Sequence, residues 1–144
     1  MKKLLTNLLA RWNIVSLFAL LTLISGCSML GLGGDPELTI KVTTHQYTNN
    51  GSNFYLLVAQ DDNKSYISHS YYSLYSQFNS SQYQHYFITP KYESSYSFSY
   101  PLDKKKATSL YFLLNSDSRQ WKLRVKPGVK KVIVDVSSDR VTMD

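Results

Sequence analysis

The 144-residue sequence predicts an all-β protein, an antiparallel β-sandwich of about seven to eight strands with one short inserted helix. Three observations carry that prediction. Leu38, Ile40 and Val42 alternate with Thr39, Lys41 and Thr43, and Trp121, Leu123 and Val125 alternate with Lys122, Arg124 and Lys126, as half-buried strands do. Runs of this kind recur at close spacing with turn signals between them, Asn49-Asn50-Gly51 and Pro127-Gly128 among them. All twelve tyrosines lie beyond residue 27, mixed with Ser and Asn, a composition that favours strands.

The chain opens with Lys2, Lys3 and Arg11, followed by an almost unbroken apolar run over residues 14–24. This is the charge and length pattern of an export signal. Ser25-Gly26 then leads into Cys27, the single cysteine of the protein. The order predicts a lipoprotein signal peptide over 1–26, cleaved between Gly26 and Cys27. The Cys27 thiol would take a diacylglycerol group and its freed amine an N-acyl chain. Several acyl chains, at roughly 0.8 kcal/mol per buried methylene, hold a protein on a membrane without a spanning helix. Removing the first 26 of 144 residues leaves 118, enough for one small domain. It also lowers the formal charge from +6 to +3, weak evidence for an acidic partner. Ser28, in place of Asp, favours the outer membrane over the inner, with the domain facing the periplasm. Residues 27–36 are expected to form the acylated N-terminus and a flexible, Gly-rich tether closed by Asp35-Pro36, and 37–144 the sandwich.

Within the domain, residues 54–59 form a continuous apolar run that predicts a central strand. Ile67, Tyr71, Leu74, Tyr75 and Phe78 fall at helical spacing and predict one amphipathic helix, capped by Asp62 or Ser65. Strands resume at 83–89, where Pro90 ends one, and at Tyr96, Phe98 and Tyr100, which alternate with serines. Asp103-Lys104-Lys105-Lys106 reads as a solvated turn. Residues 110–114 are a second continuous apolar run, and Val132, Val134 and Val136 close the sheet.

The sequence carries no recognisable signature of reactive chemistry. His45, His69 and His85 have no metal-ligand spacing, and no carboxylate pair, G-x-S-x-G or phosphate-cradling glycine loop stands out. The expectation is a binding protein without cofactor or small-molecule substrate. Compartment and modest charge argue against nucleic acid. Lys122, Arg124 and Lys126 read either as a solvated strand face or as a surface for an acidic partner or lipid headgroups. The tyrosines between Tyr66 and Tyr86 read either as packing for the helix or as a binding surface.

Taken in order, these residues resemble the type VI secretion lipoprotein family known as TssJ. Residues 110–114 followed by Asn115, Asp117 and Arg119-Gln120-Trp121-Lys122-Leu123 look like its apolar strand, polar turn and tryptophan-bearing strand. Residues 54–60 resemble its second strand, Tyr72-Ser73-Leu74-Tyr75 its helix, and Ile88-Thr89-Pro90 the turn before its next strand. Lys91-Tyr92 stands where Gly-Glu is usual, the arginine usual near Val58 is absent, and the Tyr-, Ser- and Asn-rich composition suggests a diverged member of the family, of which the Francisella-type IglE is one that the chain resembles. The resemblance implies a transthyretin-like sandwich that binds the periplasmic part of an inner-membrane TssM-like protein. It places that contact in the loop after the first strand, here His45, Gln46, Tyr47, Thr48, Asn49, Asn50, Gly51 and Ser52, with Tyr47 as the large aromatic. A pilotin-like lipoprotein that escorts a secretin and a glycan-binding envelope lipoprotein are the competing readings.

Overall fold

The computed structural model describes residues 35–115, 120–138 and 140–144. Eight strands form two four-stranded sheets. The strands are β1 (Glu37–Thr44), β2 (Phe54–Ala59), β3 (Gln84–Ile88), β4 (Ser94–Pro101), β5 (Thr108–Leu113), β6 (Lys122–Val125), β7 (Lys131–Val136) and β8 (Val141–Met143). The first sheet runs β4-β1-β7-β8 and the second β3-β2-β5-β6. One pairing departs from the predicted antiparallel pattern: β1 and β7 are parallel, Thr39 opposite Lys131 through Thr44 opposite Val136. This pair joins the two ends of the domain, and a strand that returns by crossing from the other sheet is free to enter in either direction.

Period-2 patterning settles what lies between the sheets. Leu38, Ile40 and Val42 of β1 and Val132, Val134 and Val136 of β7 are buried against Leu56, Val58, Leu110, Phe112, Leu123 and Val125 of the second sheet. At roughly 25 cal/mol per Å2 of apolar surface removed from water, this layer is the main driving force for the fold. On the edges, the Tyr86 ring of β3 stacks on Phe98 of β4 at 4.3 Å, and its hydroxyl donates to the Ser99 carbonyl at 2.7 Å. The open side of the sandwich is thereby closed by an aromatic pair, and the serines of β4 face outward.

The continuous apolar runs have a different cause. Both β2 and β5 are central and covered on both faces. Their second face, Leu57, Ala59, Tyr111 and Leu113, packs against Leu74 and Tyr83. The covering layer is two short helices rather than the one expected: α1 (Asn63–Ser68) and α2 (Tyr71–Ser76). The chain breaks at His69, whose backbone is extended (φ −63°, ψ 120°). Asp62 caps α1 by accepting the Ser65 N–H at 2.6 Å. Ser70 and Ser73 cap α2 reciprocally, each hydroxyl accepting the other's N–H. The break also separates the predicted apolar face. Leu74 is buried and Tyr71 and Phe78 pack inward, but Ile67 and Tyr75 are 66% and 64% exposed.

Candidate partner-binding loop and the helix-covered face

The loop after β1 is built from the inside. Thr48 and Asn49, expected to contact a partner, are fully buried and hold the loop instead. The Thr48 hydroxyl donates to the Val136 carbonyl at the end of β7 and accepts the His45 N–H at 2.8 Å. The Asn49 amide donates to the carbonyls of Ser52 and Asn53 at 2.9 and 3.0 Å, while its oxygen accepts the Asn115 N–H. Asn49, Asn50 and Gly51 have φ of 50°, 55° and 75°, three consecutive left-handed residues. Asparagine and glycine are the residues that adopt this region readily, which is why Asn-Asn-Gly occupies the turn. His45 is tied to Asp135 of β7 at 2.7 Å. What remains outward is His45, Gln46, Tyr47, Asn50, Gly51 and Ser52, with the Tyr47 side chain 70% exposed. A buried polar frame thus presents one free aromatic at the end of the sandwich.

That end is the one distant from where the chain joins the sheet. β1 begins beside Pro36, whose carbonyl accepts the Leu102 N–H at 2.7 Å, and the loop follows its last residue, Thr44. Eight residues of strand separate the two, about 26 Å. We call these the proximal and distal ends.

The alternating cations of β6 do not form a solvated face. Lys122 and Arg124 lie opposite Tyr111 and Ser109 on the face covered by the helices. Lys122 Nζ donates to the carbonyls of Tyr66, Ile67 and His69 at 2.9, 3.3 and 3.3 Å, and so caps the C-terminus of α1. The Arg124 guanidinium pairs with the Asp61 carboxylate at 3.0 Å and donates to the Asp61 carbonyl at 2.9 Å. The same carboxylate accepts the hydroxyls of Ser109 and Tyr111. Burial, followed by that hydrogen bond to Asp61, pushes the Tyr111 hydroxyl far above the usual tyrosine range. Trp121, expected on the inter-sheet face with Leu123, precedes the strand and packs on the helix side, 5.8 Å from Tyr71 and 6.1 Å from Tyr111. Of the aromatics between Tyr66 and Tyr86, Tyr66, Tyr71, Phe78 and Tyr83 pack the helices down, while Tyr72 stands 84% exposed.

Arg124 and Asp61 also line a shallow cleft of about 390 Å3 with Gln60, Asp62, Lys105, Lys106 and Ala107. Both Asp61 carboxylate oxygens already accept hydrogen bonds, and Asp62 is held ionised by the Ser65 N–H of its own cap, which lowers its pKa. Among the described residues no group of three or more His, Cys, Asp or Glu is placed to hold a metal ion. His69 accounts for its ring by a 3.1 Å contact with the Tyr83 hydroxyl, and His85 packs on Phe78. Gly26 and Cys27 lie outside the described residues.

Two four-stranded sheets with a helical layer on one of them define a β-sandwich domain, and its fold is similar to those of several solved type VI secretion proteins. The C-terminal domain of TssM from EAEC superposes with a TM-score of 0.60 at 16% identity, over 75% of this chain and 97% of that one. Lip of Serratia marcescens, a membrane-bound component of the type VI secretion system, gives 0.59 at 7% identity over 76% and 97%. The type VI lipoprotein TssJ1 of Pseudomonas aeruginosa gives 0.56 at 10% identity over 76% and 95%. At these identities the likeness establishes the TssJ-like fold. The family described as IglE, N-terminal domain, matches residues 55–137, more than half of the 144, and the chain belongs to that family. The match runs from β2 to the end of β7 and begins after the 45–52 loop. No curated protein matches the chain.

Proposed function

We propose that the protein is an outer-membrane lipoprotein of a type VI secretion membrane complex. In this reading it is acylated on Cys27 after cleavage behind Gly26, and its domain faces the periplasm. There it binds the periplasmic part of an inner-membrane TssM-like protein through the exposed residues of the 45–52 loop. Membership of the IglE family supports the secretion role. The observation that carries the rest is the opposition of the two ends. The chain joins the sheet at the proximal end, while Tyr47 projects from a rigid frame at the distal end. The segment 27–36 attaches the domain to the bilayer at its proximal end, which leaves the distal loop free to face across the periplasm. Binding then needs no chemistry. Tyr47 supplies apolar area with few torsions to freeze, and the buried Thr48 and Asn49 remove most of the ordering cost beforehand. Restriction of both partners to facing membranes raises their effective concentration.

A pull-down from solubilised envelopes tests this, with tagged full-length protein beside a Tyr47→Ala variant. Recovery of a large inner-membrane protein with a periplasmic domain, reduced at least tenfold by the substitution, is the expected result. Recovery of a secretin, or of glycan without protein, would transfer the assignment to the pilotin-like or glycan-binding reading.

A further inference from the structure

Two connections cross the proximal end from sheet to sheet, residues 102–107 between β4 and β5 and residues 126–130 between β6 and β7. Hydrogen bonds from Leu102 N–H to the Pro36 carbonyl and from Thr39 N–H to the Lys130 carbonyl draw both against the start of β1. They and the first residue of β7 carry Lys104, Lys105, Lys106, Lys126, Lys130 and Lys131, all exposed. The acids at the same end are Asp35, Glu37 and Asp103, and the flanking Asp61 and Asp62 are balanced by Arg124 and Lys64. Only Lys106 is paired, at 3.9 Å with Asp103; the other five lysines make no ion pair among the described residues. Six cations against three acids leave three positive charges. That equals the whole net charge of residues 27–144, which hold thirteen Lys and Arg and ten Asp and Glu. The modest charge of the domain is therefore gathered at one end.

We propose that this proximal end is a membrane-docking surface that binds the anionic headgroups of a phospholipid bilayer. The inference rests on the lipoprotein reading above and adds how the domain is oriented. Cys27 lies nine residues before Pro36, at most about 30 Å of extended chain, so an acylated Cys27 holds this end within reach of the headgroups. Each lysine near an anionic surface contributes about fivefold in partitioning and loses that contribution as salt shortens the Debye length. Several acting together hold the sandwich end-on, with the 45–52 loop aimed away from the bilayer.

Lysine footprinting of the full, acylated protein tests this. It is reconstituted into phosphatidylcholine vesicles with or without phosphatidylglycerol as the anionic lipid. Lys104, Lys105, Lys106, Lys126 and Lys130 should label several-fold more slowly on the anionic vesicles and recover in high salt, while Lys41 and Lys91 label equally throughout. Protein that floats with the vesicles but shows equal labelling of all these lysines overturns the docking surface alone. Protein that does not float overturns the lipid anchor and the docking surface together.

Discussion

Replacing Arg124 with Met distinguishes a structural cation from a solvated one. The Asp61 side chain is 3% exposed and that of Arg124 21%, so the substitution leaves a carboxylate in a nearly dry site without its cation. Breaking a buried pair from one side costs about 3–5 kcal/mol. The hydroxyls of Ser109 and Tyr111 still donate to Asp61, which places the expected loss near the lower end, about 3 kcal/mol. In a domain of this size that is a large part of a total of roughly 5–15 kcal/mol and lowers Tm by about 12 °C. Urea unfolding, followed by tryptophan fluorescence and far-UV circular dichroism, gives the value. Adding Asp61→Asn removes the stranded charge, so the double variant should cost at least about 1.5 kcal/mol less than the sum of the single ones. A loss below about 0.5 kcal/mol for Arg124→Met, the value of an exposed pair, would make Arg124 a solvated cation and restore a basic outer face.

Four further outcomes follow from the same geometry. Lys122→Met removes the cation that holds three carbonyls at the end of α1, and amide exchange over residues 66–69 should quicken about fivefold, equivalent to about 1 kcal/mol; unchanged exchange would deny the cap. Asn49→Ala breaks three hydrogen bonds and forces Ala to a φ of 50°, for about 2–3 kcal/mol by chemical denaturation. Asn50→Gly, at an exposed left-handed position, should stay within about 0.5 kcal/mol. Burial raises the hydroxyl pKa of Tyr66, Tyr71, Tyr83, Tyr86, Tyr100 and Tyr111. The folded state therefore keeps protons that the unfolded chain releases above about pH 10, and stability is full below that pH and falls as it rises. Tyr111→Phe should make the alkaline slope of unfolding free energy shallower by up to about 1.4 kcal/mol per pH unit; an unchanged slope would contradict the assignment.

The strands were legible because alternation is a local signal. Ile40 and Val134 read as inward without knowledge of what they meet. The central place of β2 was legible from another local signal, since a run such as Phe54–Ala59 has no polar face to offer water. The break between α1 and α2 was not, because the apolar period continues across it and the capping pair, Ser70 and Ser73, is drawn from residues common throughout this chain. Alternation also assigned Lys122 and Arg124 to the face opposite Leu123, correctly, but could not tell that two helices cover it. The parallel β1–β7 pair depends on contacts about ninety residues apart, beyond any local pattern. In the loop, Asn49-Asn50-Gly51 signalled a turn, whereas the inward direction of Thr48 and Asn49 depends on the carbonyl of Val136 and the N–H of Asn115, partners that no spacing reveals.

In the proposed arrangement the distal loop meets an inner-membrane partner while the proximal end stays with the outer membrane. The most direct measurement is photo-crosslinking in living cells from a benzophenone side chain placed at position 47 or at position 104 of the full-length protein. An adduct with a large inner-membrane protein is expected from position 47 and none from position 104. An adduct with that protein from position 104 and none from position 47 would contradict that arrangement.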